Sequence, residues 1–257
     1  MNIIYRKAEE NDITKLKSLW IDTFEEDKEA VDIFFENTLK YTEVYCAEIN
    51  GIIISAVYLI SCTLNNKKAH YLCGASTDKA YRKKGIMSNL IKYALDDSSD
   101  DYSVLFPANE GLYSFYEKLG YVSNCTAKKC VLTRQQLLEY EEVENTSTHT
   151  NILLWNNNFV DFAEKYYSHY GVKVITDENT IIFADEKGDC TEIFYSDYRD
   201  INVFKSLIMN NFSSERFVLT LRSDDVNFEG ETVRCGMIKS LKSEETPQEV
   251  YIGITLN

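Results

Sequence analysis

His70-Tyr71-Leu72-Cys73-Gly74-Ala75-Ser76-Thr77-Asp78-Lys79-Ala80-Tyr81-Arg82-Lys83-Lys84-Gly85-Ile86-Met87 reads as a strand that ends in a tight basic loop, with a helix starting at about Gly85. Helix N-termini present unpaired N–H groups and a partial positive charge, so they suit phosphate oxygens. Gly85 lets the backbone come close to an anion. Arg82, Lys83 and Lys84 add full charges for a diphosphate or a ribose phosphate. A solvated basic turn capping a helix has the same composition, so this stretch alone sets the local fold and leaves its ligand open.

Working outward, the flanking sequence predicts alternating elements. Residues 2–8 read as a strand, and Asn11-Asp12 caps a helix with Ile13, Leu16, Leu19 and Trp20 on one face. A second amphipathic helix is expected over 28–39, with Val31, Phe34, Phe35 and Leu39 inward. Residues 42–49 and 52–62 pair across Asn50-Gly51, the strongest short hairpin signal, and Asn65-Asn66 leads into a strand over 67–77. A helix (86–97), a strand (102–106), a helix (110–119) and strands from 121 onward complete the first half. Glu139–Asn151 is charged, polar and weakly patterned, and we expect a domain boundary there, giving residues 1–140 and 150–257. Beyond it the grammar partly repeats: a helix over 156–170, strands over 172–176, 180–185 and 190–196, a helix over 200–210, and strands over 216–222, 232–239 and 249–256. No Gly-rich loop joins a strand to a helix in this half, so it lacks the anion cradle of the first. The fold class is α/β with a mixed α+β sheet.

Composition narrows the function. The net charge of −14 argues against a nucleic-acid partner, because phosphate contacts require basic patches. It favours cationic partners, although acidic charge also serves plain solubility. No apolar run approaches the roughly 20 residues that span a bilayer, and the N-terminus shows no signal-peptide core. A cytoplasmic protein without a membrane partner is expected. The 7 cysteines are scattered, without a C-x-x-C pair, and the histidines do not cluster near them, so buried free thiols are expected rather than a metal site.

Two motifs together carry a family resemblance. Arg82-Lys83-Lys84-Gly85-Ile86-Met87 resembles the Q/R-x-x-G-x-G/A pyrophosphate loop of the GNAT superfamily of N-acetyltransferases, departing from it at Met87, where the family has a small residue. Asn109, Tyr116, Lys118, Gly120 and Tyr121 follow at the spacing of that family's second signature. The resemblance implies a GNAT fold with splayed central strands and acetyl-CoA as cosubstrate. It places the pantetheine arm against Ala75, Ser76 and Thr77, with the backbone of Ala75 and Thr77 pairing like an added strand. Its diphosphate falls on Arg82, Lys83, Lys84, Gly85, Ile86 and Met87. It makes Tyr116 the general acid for the departing thiolate, where the plain alternative is a core aromatic. Asn109 either hydrogen-bonds the cofactor or caps the helix that follows.

The acceptor is expected to be a small amine or a lysine-type side chain. Glu25, Glu26 and Glu43 fall in regions that flank the acceptor groove of this fold, where each reads as a solvated surface acid or, alternatively, as the carboxylate that takes the proton. Cys73 raises a ping-pong route, but no His/Asp pair reads as activating it, so direct transfer is expected. The second half resembles the GNAT-like half of enhanced-intracellular-survival-type acetyltransferases through Glu192–Asp197, Gly236-Met237-Ile238 and the terminal Tyr251–Asn257, without their sterol-carrier-like domain. It is expected to wall off the acceptor groove, or else to be structural or homo-oligomer-forming. A catalytically weak acyl-CoA-binding or regulatory module is the alternative for the whole chain.

Overall fold

The computed structural model describes residues 2–141, 143, 151–242 and 245–256. Most of the expected boundary, residues 142 and 144–150, lies outside the described residues.

The first half comprises β1 (Ile4–Lys7), α1 (Ile13–Phe24), α2 (Lys28–Thr38), β2 (Thr42–Ile49), β3 (Ile52–Leu64), β4 (Lys67–Thr77), α3 (Ile86–Asp97), β5 (Tyr102–Leu105), α4 (Glu110–Glu117), β6 (Val122–Thr133) and α5 (Arg134–Glu139). The second comprises β7 (Leu153–Leu154), α6 (Asn157–His169), β8 (Lys173–Asp177), β9 (Thr180–Lys187), β10 (Cys190–Tyr198), α7 (Ile201–Asn211), β11 (Arg216–Leu221) and β12 (Glu231–Ser240). Asn50-Gly51 (φ 49° and 80°) and Asn65-Asn66 (φ 54° and 60°) make left-handed two-residue turns, as the hairpin reading requires.

Two local readings need correction. Residues 249–256 form no strand; they make only two isolated bridges, Cys125 to Val250 and Ile152 to Tyr251. Glu249 (φ 51°) and Gly253 (φ 75°) sit in the left-handed region and interrupt an extended run. Conversely, α5 follows β6 directly, because Thr133 and Gln136 form a reciprocal capping box.

The strands form one continuous mixed sheet in the order β1-β2-β3-β4-β5-β12-β6-β11-β10-β9-β8, with β7 paired to β3. Only β4–β5 and β10–β11 are parallel; every other named pair is antiparallel. The halves therefore exchange strands: β12 lies between β5 and β6, and β6 lies between β12 and β11. Strand alternation divides the core between the faces. On β4, Ala69, Tyr71 and Cys73 join an aromatic cluster with Trp20, Phe34, Tyr58 and Phe162, whereas Leu72 joins Leu90, Ile91 and Tyr116 opposite. Phe34 of α2 meets Phe162 of α6 at 5.7 Å between ring centres, so the core runs across both halves. Burying each such ring contributes about 1.5–3 kcal/mol, so this contact opposes separation of the halves. No helix among the described residues is long and apolar enough to cross a membrane.

Candidate active site

The site begins where β4 leaves β5. Their parallel register covers Ala69 with Tyr102, His70 with Ser103 and Tyr71 with Val104, and then ends, although β4 continues to Thr77. A β-bulge causes the departure. Against β3, Ala56 pairs with Ser76 but Tyr58 pairs with Cys73, so Gly74-Ala75 occupies the space of one residue. Bulges bend the strand that carries them. Glycine is required there: Gly74 has φ +58°, and a Cβ would lie 2.4 Å from Trp20 and 2.6 Å from Tyr58.

Beyond the bulge, backbone direction follows from two bonds. Ser76 O accepts from Ser55 Oγ on β3 at 2.8 Å, and Asp78 N donates to Ile54 O at 2.9 Å. Alternation then turns the backbone of Ala75 and Thr77 toward the gap. Arg82 Nε reaches that edge and donates to Thr77 O at 2.9 Å.

The basic loop closes the gap from above. Asp78 caps a single turn over Lys79–Tyr81 through Ala80 N, Lys83 takes a left-handed φ of 61°, and Gly85 another of 74° at the N-cap of α3. No side chain caps α3, and a Cβ on Gly85 would meet nothing within 4 Å. In a chain of net charge −14, Arg82, Lys83 and Lys84 form no ion pair with described residues. Three uncompensated cations beside an uncapped helix N-terminus fit a polyanion such as a diphosphate.

Below this loop lies a cavity of about 540 Å³. Ala75, Thr77, Arg82, Lys83, Gly85, Ile86 and Met87 line it, with Tyr116 at α4. Three expected residues stand apart from it. Ser76 is buried on the other side of the strand, and its hydroxyl has no partner among the described residues. Lys84 turns back to Ala80 O at 2.9 Å, over the Tyr81 ring. Asn109 holds the N-cap position of α4 without a side-chain capping bond. Thr23, Phe24, Leu112 and Phe115 line the cavity without having been singled out from sequence. Phe24 is 45% exposed at the end of α1, yet it continues the apolar spacing of Leu16 and Trp20, so nothing in the sequence set it apart from the core face.

Tyr116 is 7% exposed, yet its hydroxyl makes no hydrogen bond among the described residues. Neighbouring Tyr121 differs, because its hydroxyl bonds Ser103 Oγ at 2.6 Å. Burial, and secondarily Cys73, pushes the Tyr116 hydroxyl up to about 12. Burial likewise pushes the Cys73 thiol up, away from the reactive thiolate. His70 lies on the opposite face of β4, with Nδ1 2.7 Å from Asp100.

A second cavity, of about 780 Å³, has Glu26, Glu192 and the Asp185–Lys187 ion pair among aromatic walls from Phe106, Tyr166 and Tyr170. Thr23 and Phe24 line the first cavity and Glu26 the second, so the turn after α1 separates the two. Glu26 accepts hydrogen bonds from Tyr166 and Tyr170. Glu25 instead faces solvent beside Lys79, and Glu43 pairs with Lys7, so neither lines either cavity.

Among curated proteins, none matches this sequence. Solved structures share its fold. A protein of unknown function from Enterococcus faecalis V583 is 15% identical, over 94% of this chain and 73% of its own, with a TM-score of 0.72. Eis1 from Mycobacterium abscessus is 9% identical, over 93% and 74%, at 0.69. A GCN5-related N-acetyltransferase from Kribbella flavida is 13% identical, over 93% and 71%, at 0.66. The family model for the acetyltransferase (GNAT) domain matches residues 4–123, from β1 to the start of β6, and so contains the splayed strands, the basic loop and Tyr116. This part of the chain is therefore a GNAT acetyltransferase domain.

Proposed function

We propose that this protein is an acetyl-CoA-dependent N-acetyltransferase that moves the acetyl group directly onto a primary amine. The observation that carries the reading is Tyr116, a buried hydroxyl with no hydrogen-bond partner among the described residues, in a cavity lined by Arg82, Lys83 and the uncapped end of α3. Acetyl-CoA supplies a thioester whose carbonyl carbon the neutral amine attacks. On this reading Arg82, Lys83 and the first amides of α3 hold the diphosphate, and the gap-facing backbone of Ala75 and Thr77 aligns the pantetheine arm. The C–S bond breaks as Tyr116 gives its proton to the sulfur, while the amine loses one proton to a carboxylate or water. The high-lying Cys73 thiol supports direct transfer over an acyl-cysteine route.

We assign the second cavity to the acceptor, because Glu26 among the rings of Phe106, Tyr166 and Tyr170 suits a cation, while Asp185 and Glu192 are paired with Lys187 and Lys129. The reading treats residues 1–140 and 150–257 as two GNAT-like units joined by exchanged strands. It places the protein in the cytoplasm, in keeping with cysteines that are all free.

A thiol-release assay with acetyl-CoA across a panel of primary amines tests the proposal. Turnover with at least one amine is expected, and Tyr116→Phe lowers kcat about a hundredfold with little change in CoA affinity. Stoichiometric CoA binding with no thiol release across the panel would assign the chain as a binding module. Because the folded pKa lies above the ordinary 10, Tyr116 stays protonated, so kcat should not fall through loss of this proton between about pH 7 and about pH 9.5. The same shift lowers stability only as pH rises above 10, where the unfolded chain ionises this tyrosine first.

A further inference from the structure

Among the described residues Tyr116 has no hydrogen-bond partner on its hydroxyl, so the placement of α4 and the packing of the ring set where its proton sits. With 8 residues, α4 is too short to hold itself, since isolated helices below about 12 residues are marginal in water. Packing with Leu72, Leu90 and Tyr121 holds one side of it, and further contacts come from outside the segment that matches the family model. Strand β12, inserted next to β5, contacts α4 at both ends.

At the C-terminal end, Lys239 Nζ donates to Leu119 O at 2.7 Å. The Leu119 and Tyr121 amides both return to the carbonyl of Tyr116, at 2.9 and 3.2 Å, so this lysine closes the turn that Tyr116 begins. Gly120 takes the left-handed φ of +88° in this turn, and the Lys239 stem lies alongside it at ordinary contact distance. A cation at this end also opposes the negative pole of the helix. The backbone of Lys239 pairs with Ser103, whose hydroxyl bonds Tyr121, so the strand grips the turn from two sides. At the N-terminal end, Arg234 bonds Glu110 at 2.7 Å and lies over the ring of Tyr113 at 4.5 Å. Between them, the fully buried Met237 packs in the same cluster as Tyr113 and Tyr116.

We infer that Lys239, assisted by Arg234, is a positioning residue through which the second half of the chain holds the general acid Tyr116 in register with the thioester sulfur. The inference rests on the acid role proposed for Tyr116. The two contacts differ in weight. Arg234 and Glu110 keep 49% and 79% side-chain exposure, where ion pairs contribute little. Lys239 is half-buried and bonded to a carbonyl that the helix itself leaves unsatisfied, so its removal leaves that group bare. Misplacing a reacting group by about 1 Å costs up to about a hundredfold in rate.

The test compares Lys239→Met and Lys239→Arg by hydrogen exchange in the free protein and by steady-state kinetics with acetyl-CoA and the fastest amine of the panel. For K239M we expect exchange at the Leu119, Gly120 and Tyr121 amides to rise about tenfold, with α3 amides unchanged. We expect kcat to fall about tenfold and CoA affinity to stay within about twofold, with K239R recovering most of both losses. Unchanged exchange, or kcat and CoA affinity falling together, overturns the inference. Arg234→Gln provides a milder second variant in case K239M does not accumulate, and should raise exchange only in the first turn of α4. Exchange that rises across the whole helix, or nowhere, counts against the clamp. The double variant Y116F/K239M separates the two readings. If Y116F is impaired and K239M adds nothing to it, the lysine acts through Tyr116; a multiplicative loss overturns the clamp alone. Wild-type turnover by Y116F removes the acid assignment and this inference with it.

Discussion

The parallel pairs β4–β5 and β10–β11 are built alike and end differently. In each, the register stops partway along the earlier strand, after Tyr71 on β4 and after Ile193 on β10. In each, a bulge follows that point, at Gly74-Ala75 in one and at Phe194 in the other. A helix then follows the splayed strand, α3 or α7. The difference lies at the helix start. Gly85 leaves the N-terminus of α3 open beneath three cations, whereas Asp200 closes α7 by accepting from Asn202 N and Val203 N. The second half also lacks a counterpart of α4, because β11 leads into a loop without a helix before β12. A splay is thus a consequence of sheet geometry, and an anion site needs the further step of an uncapped helix beside unpaired charge.

The most damaging way to break the comparison is at the first bulge. Gly74→Ala places a Cβ against Trp20 and Tyr58, rings packed 4.9 Å apart in the main aromatic cluster, at a backbone φ of +58°. Both rings are buried. We expect a loss of about 3 kcal/mol, read as a fall of about 6–10 °C in Tm. The second bulge carries a phenylalanine, Phe194, whose ring meets that of Tyr167 at 5.0 Å, so a side chain is part of its packing. A Gly74→Ala protein of unchanged Tm would show that Trp20 does not seat the first bulge.

Next in size is an exchange of the capping chemistry. Gly85→Asp gives α3 the carboxylate that α7 already has, in place of room for an anion. CoA affinity should fall about thirtyfold, or ~2 kcal/mol, in a titration calorimetry experiment. Gly85→Asn tolerates the same left-handed backbone without the charge and should lose much less. Equal losses for the two variants would mean that shape, not charge, governs the cradle.

How far the sequence reaches follows from the same features. The hairpin at Asn50-Gly51, the strand over 67–77 and the helix over 86–97 were legible because their signals are local: turn residues, periodicity and a glycine before an apolar stripe. Ala75, Thr77, Arg82, Lys83, Gly85 and Met87 fall together at one cavity because they sit on one short continuous stretch. The exchange of β6 and β12 was not legible, since register between strands roughly a hundred residues apart leaves no local trace. Ser76 shows the finer limit. Its neighbours face the gap, but strand alternation turns Ser76 away, and the phase of that alternation is set by a bulge at Gly74 that depends on Trp20. The turn at Glu249 defeated the strand expected over 249–256 because nothing in a glutamate announces φ +51°.

The smallest effect tests the closed end of the comparison. Asp200→Ala removes both capping bonds of α7 and exposes the amides of its first turn, as in α3. The cost should be that of one lost N-cap, about 1 kcal/mol, or about 2–4 °C in Tm. Opening the helix does not supply charge, because Tyr198-Arg199-Asp200 offers one cation where Arg82-Lys83-Lys84 offers three. Calorimetry on this variant should therefore still find a single CoA site per chain, at unaltered affinity. A second site appearing on removal of Asp200 would show that the cap alone keeps the second splay from binding. The charge requirement argued for the first splay would then have to be withdrawn.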